Sequence, residues 1–199
     1  MEKQAIIKTL QRFSPLSKAA QEDLLALFSY KEVKKGAFFV QEGNYTSELG
    51  FVIDGVLRAY YVDQKGTEYN KTFFTKNAFA ISLASVLQRI PSYLNFDALV
   101  DTALWVADYY QLTQLFAKHR DIETVVRKVI EYKWVVEKEL RELRLVLNNA
   151  EERYRFFQEE YPGLENLIPQ YHIASHLGIT PIQLSRIRAK MAGRKRKEG

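Results

Sequence analysis

Ile122, Val126, Val129, Lys133, Val136, Leu140, Leu143 and Leu147 follow one another at alternating intervals of four and three residues. That spacing is an a/d seam, the narrow apolar stripe of a helix that pairs with another helix, broken once by Lys133. A helix carrying such a stripe has to cover it, so the rest of the chain must be arranged around a long rod. Two arrangements meet the requirement: packing on its own domain, or pairing with a second copy. A strict four-three seam is narrower than a globular helix usually shows, which favours the coiled-coil dimer. Lys133 would then specify register at some cost in stability, or reach out to a ligand.

Upstream of the rod the period changes. Residues 3–13 and 17–29 read as two amphipathic helices, lined by Ile6, Leu10 and Phe13 and by Leu24, Leu27 and Phe28. From about Tyr30 come short β-prone runs, AFFVQ, LGFVID, VLRAYYV, YNKTFFT, FDALV and ALWVADY, with Gly36, Gly43, Gly55 and Gly66 between them. Many short strands with regular turn signals predict a small barrel or sandwich over about residues 30–110. The insert ISLASVLQRI, ending at Pro91, is helical in pattern.

Downstream, Asn148-Asn149 ends the rod and caps a helix over residues 150–160, which stops at Tyr161-Pro162-Gly163. The stretch from Pro169 to Met191 then reads as two short helices around a tight turn. Ile173, Ala174 and Leu177 stripe the first; Leu184, Ile187 and Met191 stripe the second. Gly178 can take the positive φ that ends a helix, Thr180 is a good N-cap, and Pro181 suits the first helical position. An αα-hairpin in a core shares this pattern, but so does a helix-turn-helix. In the latter, Gln183, Ser185, Arg186 and Arg188 face outward, each able to meet a base edge or a phosphate.

Charge distribution agrees with a polyanion partner. The chain carries a net +5, yet residues 178–199 hold seven basic side chains against Glu198, which leaves the remainder close to neutral. Thr180, Arg188, Lys190 and the Arg194–Lys197 cluster are the candidate phosphate contacts, although a solvated tail would also explain GRKRKEG. The chain has no cysteine, which removes disulfides and thiolate metal sites. His172 and His176 lie four apart, but no third ligand completes a metal set, so both are expected on an exposed helix face. Residues 30–110 contain no histidine, which excludes a metal-dependent cupin enzyme. With no G-x-S-x-G, P-loop or dinucleotide fingerprint either, no catalytic residue, metal or cofactor is expected, and the chain is not read as an enzyme. The start MEKQAIIKTLQRF is not a signal peptide and no apolar run reaches membrane-span length, so a soluble, cytoplasmic protein is expected.

This order of elements resembles the cyclic-AMP receptor/fumarate–nitrate regulator (CRP/FNR-type) transcription factors. The residues that carry it are VQEG ending at Gly43, FVIDGVLRAYYV around Gly55, the Lys65-Gly66 turn and LGITPIQLSRI. The resemblance implies an α+β chain: a jelly-roll-like cyclic-nucleotide-binding β-roll (1–120), a dimerisation helix (121–148) and a winged-helix-like helix-turn-helix (149–199). It implies double-stranded DNA with a pseudo-palindromic site, a second copy of the chain, an effector and RNA polymerase as partners. The family commonly ends its recognition helix in Ser-Arg and uses the Arg on guanine, which here maps to Ser185 and Arg186. A guanidinium does match guanine O6 and N7.

Two departures qualify the resemblance. Where many members carry a Glu for cytosine, this chain has Ile182, which offers a thymine methyl only apolar contact. The cyclic-nucleotide cassette, Phe-x-Gly-Glu-Leu followed by Arg-Ser or Arg-Thr, is replaced by Phe79-Ala80-Ile81-Ser82-Leu83, with Leu94-Asn95 near the Arg position and Arg89 upstream. Phosphate among Ile81 and Leu94 would be costly to desolvate, so cyclic AMP is not the expected effector. Phe79, Ile81, Ser82, Leu83, Leu94 and Asn95 are the candidate pocket residues. Lys133 and Trp134 on the closing helix either join them or form an interface tryptophan beside a register lysine. A sensor acting through a protein partner and a constitutive DNA binder remain open beside the effector-controlled regulator.

Overall fold

The computed structural model describes residues 3–198, with side chains as far as Gly193. Two compact units emerge: one holds the chain up to Ala59 with Phe73–Lys138, the other holds Tyr60–Thr72 with the chain from Glu139 on.

The first unit opens with α1 (Gln4–Leu10) and α2 (Lys18–Ala26), then β1 (Ser29–Val33), β2 (Phe38–Val40), β3 (Glu48–Asp54) and the start of β4 (Leu57–Val62). It resumes with the end of β5 (Glu68–Phe74), β6 (Phe79–Ala80), α3 (Leu83–Gln88), β7 (Asn95–Ala98), β8 (Thr102–Asp108), α4 (Tyr109–Gln114) and α5 (Arg120–Ile130). The strands form two four-stranded sheets, β1-β8-β3-β6 and β2-β7-β4-β5, and the pairs β1/β8, β2/β7, β3/β6 and β3/β8 are antiparallel.

Period-two alternation sorts their side chains. Val52, Leu104 and Val106 point into a core shared with Phe39, Leu57 and Phe96 of the other sheet. Leu49, Phe51 and Ala107 point the other way, against Ile6, Ile7, Leu24, Ile122 and Val125 from the helices. A sheet covered on both faces explains why LGFVI is apolar almost throughout. β1, SYKEV, lies where the second helix was expected to end; its polar composition hid a strand that is held by its pairing with β8.

The long helix is not one uninterrupted rod. α5 is followed by a π-helical segment, Glu131–Val136, and then by α6 (Glu137–Leu147). Ile122, Val125 and Val129 are buried in the unit's own core. Continued as regular α-helix, Val129 would be followed on that face by residues 133, 136, 140, 143 and 147. The side chains shielded after the π segment are instead Trp134, Glu137, Arg141, Arg144 and Asn148, one residue later at every step. A π turn inserts one residue, and one residue turns an α-helix by about 100°. The seam is therefore split. Ile122 and Val129 belong to the unit's own core, which corrects the expectation of eight equivalent dimer positions. Val136, Leu140, Leu143 and Leu147 are turned outward, at 43%, 46%, 47% and 74% exposure.

In the second unit α7 (Ala150–Glu160) starts at a capping box. Asn149 Oδ1 accepts from the Glu151 and Glu152 amides at 3.0 and 3.1 Å, and Glu152 Oε2 accepts from the Asn149 amide at 2.9 Å. α8 (Gln170–Leu177) and α9 (Pro181–Glu198) follow. α9 runs on where the resemblance implied a wing, and no strand follows it among the described residues.

Candidate DNA-reading surface and effector recess

α8 ends at Gly178, which takes the left-handed conformation (φ 66°, ψ 36°) that glycine adopts without a Cβ penalty. Thr180 opens α9: its Oγ1 accepts from the Gln183 amide at 3.2 Å, while Gln183 Oε1 accepts from the Thr180 amide at 2.9 Å. Leu184 is fully buried with Ile173, Ala174 and Leu177 beneath it, so the opposite face of α9 must point away from the unit. Thr180, Pro181, Ile182, Gln183, Ser185, Arg186 and Lys190 are all exposed, Ile182 at 66%. Three expected contacts already have partners inside the unit. Gln183 closes the cap, Lys190 Nζ lies 2.8 Å from Glu151 Oε2, and half-buried Arg188 approaches the Tyr154 hydroxyl. The Arg194–Lys197 cluster lies outside the described side chains.

α8 is held by its histidine face, which is not exposed as expected. His172 is 5% exposed; its carbonyl accepts from Asn70 Nδ2 at 2.9 Å, and Ser175 Oγ accepts from the Asn70 amide at 3.1 Å. His176 Nδ1 lies 3.0 Å from Arg141 Nη2, and burial, reinforced by that guanidinium, pushes the imidazole down to about 3. Among the described residues no group of three or more metal-ligating side chains comes together.

In the first unit a recess with about 520 Å³ of empty space, its open side included, is walled by Leu10, Leu24 and Phe28, by Phe79, Ile81 and Leu83, and by Val126, Val129, Ile130 and Trp134, with Leu49, Tyr109 and Leu112. No charged side chain lines it. Four of the eight expected pocket residues are here: Phe79, Ile81, Leu83 and Trp134. The contributions from α1, α2 and α5 were legible only as helix-packing positions, because an apolar stripe looks the same whether it meets protein or a cavity.

No protein-family model matches the sequence, and no curated protein matches it significantly. Solved structures do match in three dimensions. FixK2 from Bradyrhizobium japonicum superposes with a TM-score of 0.72 over 84% of this chain and 86% of its own, at 18% identity. The fold is that of the CRP/FNR-type regulators. The c-di-GMP-responsive global regulator CLP of Xanthomonas campestris gives 0.65 at 15% identity, covering 90% of this chain and 93% of that one. The catabolite activator protein of Thermus thermophilus gives 0.55 at 19% identity, over 94% and 88%.

On this CRP/FNR-type scaffold the cassette positions are occupied by the protein itself. Ser82 Oγ bonds Ser85 and Ser92 hydroxyls at 3.1 and 3.0 Å, and Ser92 Oγ donates to the Leu94 carbonyl at 2.8 Å. Asn95 Oδ1 accepts from the Glu42 amide at 2.9 Å, and Leu94 is buried. Ser82, Leu94 and Asn95 therefore do not line the recess, contrary to expectation. Exposed Arg89 lies over the Tyr110 ring at 5.3 Å. Buried Arg58 is held by Asp97 in a two-point ion pair at 2.7 and 3.0 Å. Lys133 is also outside the recess: its Nζ lies 2.6 Å from Glu137 Oε1 on an exposed face.

Proposed function

We propose that this chain is a homodimeric, sequence-specific DNA-binding transcription regulator, with a sensor roll whose effector is not a cyclic nucleotide. The observation that carries the DNA reading is α9: capped at Thr180, anchored by buried Leu184, and exposing Ser185 and Arg186 on the opposite face. A fixed helix with outward guanidinium and hydroxyl groups is the geometry of major-groove reading. Two-fold pairing through the outward half of the seam would set two such helices on half-sites about 34 Å apart. Ile182 supplies an apolar surface for a thymine methyl. No catalytic role is assigned to any residue.

An uncharged recess and a cassette whose hydroxyls bond one another support an effector without a phosphate. Selection of bound sites from random duplex DNA tests the reading directly. The expected outcome is enrichment of an inverted repeat, with Arg186→Ala weakening binding to it by about 10- to 100-fold. Failure to enrich any sequence at low salt, with folded protein, would overturn it.

A further inference from the structure

The second unit carries a recess that the DNA reading does not use. It offers about 370 Å³, its open part included, and is lined by Arg141, Arg144, Arg153, Phe156, Glu160 and His176 among others. We propose that it binds the phosphate group of a small phosphorylated compound.

Charge points to the ligand. Three guanidinium groups face one carboxylate, and no ion pair holds Arg141, Arg144 or Arg153 among the described residues. Arg141 is half-buried, its bond to His176 is to an uncharged imidazole, and Glu160 acts on it only through space. Three partly desolvated cations set against one carboxylate are unfavourable until a further anion joins them. Burial accordingly pushes the Arg141 guanidinium below its ordinary value.

Polar satisfaction points the same way. Arg153 donates through Nη1 to the Leu145 and Asn148 carbonyls at 3.3 and 3.1 Å, which fixes its guanidinium. Its Nε is buried and has no hydrogen-bond partner. Buried donors are rarely left unsatisfied, and a small turn of the side chain towards a bound oxyanion would supply the acceptor. Arg144 lies over the Phe156 ring at 4.5 Å, held flat by the aromatic face. Planar guanidinium groups held in place suit the oxygens of phosphate. The Phe156 and Phe157 rings give the organic part an apolar wall.

Isothermal titration of the full chain with sodium pyrophosphate, in chloride buffer of matched ionic strength, tests this. The expected result is saturable binding that is weakened by about tenfold or more in Arg144→Gln and in Arg153→Lys. Arg186→Ala, on the reading helix, should bind as the unaltered chain does. Arg144→Gln keeps a planar amide over Phe156, and a circular-dichroism melt checks that each variant folds. No saturable binding, or equal weakening in Arg186→Ala, overturns the proposal. Repeating the titration with a short duplex present at low salt separates two sources of phosphate. Retained binding assigns the recess to a free compound. Binding lost to competition assigns it to the DNA backbone and overturns the small-molecule claim.

Discussion

Single positions show how little freedom some turns have. Gly55 closes the β3–β4 turn at φ +93°, and a Cβ there would fall 2.5 Å from the Asp101 carbonyl oxygen and 2.6 Å from Thr102 Cα. Neither atom can give way without moving the neighbouring turn. Gly55→Ala should therefore cost about 2 kcal/mol or more, read as a lowered denaturant midpoint. Alanine at Gly66, also at positive φ but with open space around it, should cost less. His176 makes the second residue-scale case. Its folded value of about 3 lies below the ordinary 6.5, so the unfolded chain binds the proton more readily. Stability is full above pH 6.5 and falls as pH drops from there towards 3, by up to about 1.4 kcal/mol per unit. Thermal melts across that range should show the loss, and His176→Gln should flatten it while lowering stability at neutral pH.

Among the elements, the π segment is the one that redirects a helix face. It turns the helix by one residue, so α5 buries its stripe at home while α6 presents Val136, Leu140, Leu143 and Leu147 outward. Removing one residue, Tyr132 for example, cancels the insertion, so it should convert the π turn to regular α-helix and leave those four side chains outward. Sedimentation should then still show a dimer, whereas the Leu140→Glu/Leu143→Glu chain, which puts charge on the seam itself, should be a monomer. A dimer that survives the two glutamates would remove the seam from the interface. The repeat of four and three was plain in the sequence. The π turn was not, because EYKWVV carries no residue type that compels it; Ile130 before it and Trp134 within it both pack against the first unit's core.

At the scale of the molecule, the roll has the fold of the CRP/FNR-type regulators, and its arginines near the cassette positions are already engaged within the protein. Arg58 is neutralised by Asp97, Arg89 lies on Tyr110, and the recess beside α5 is apolar. Cyclic AMP should leave the melting temperature unchanged at millimolar concentration, whereas the uncharged dye N-phenyl-1-naphthylamine should bind and take up emission from Trp134. Leu112→Trp, which fills the recess from α4, should abolish dye binding. A rise of several degrees with cyclic AMP would reverse the assignment of the effector class.

What the sequence determined alone was local and periodic. The shift from period two to period 3.6, the turn glycines, the Asn149 and Thr180 caps and the basic end depend on neighbours a few residues away, where backbone geometry and side-chain chemistry act directly. The α+β order, most strand positions and the α8–α9 pair follow from those signals. Tertiary structure decided what depends on distant partners. β1 exists through β8, His172 is buried beside Asn70, His176 is half-buried beside Arg141, and Ile122, Val126 and Val129 of the seam are spent inside their own unit. An apolar side chain gains by burial against any apolar surface, so its pattern says that it will be covered and not by what. Only the folded chain distinguishes a seam from a core, a recess from a packed face, and a guanidinium with a partner from one that awaits an anion.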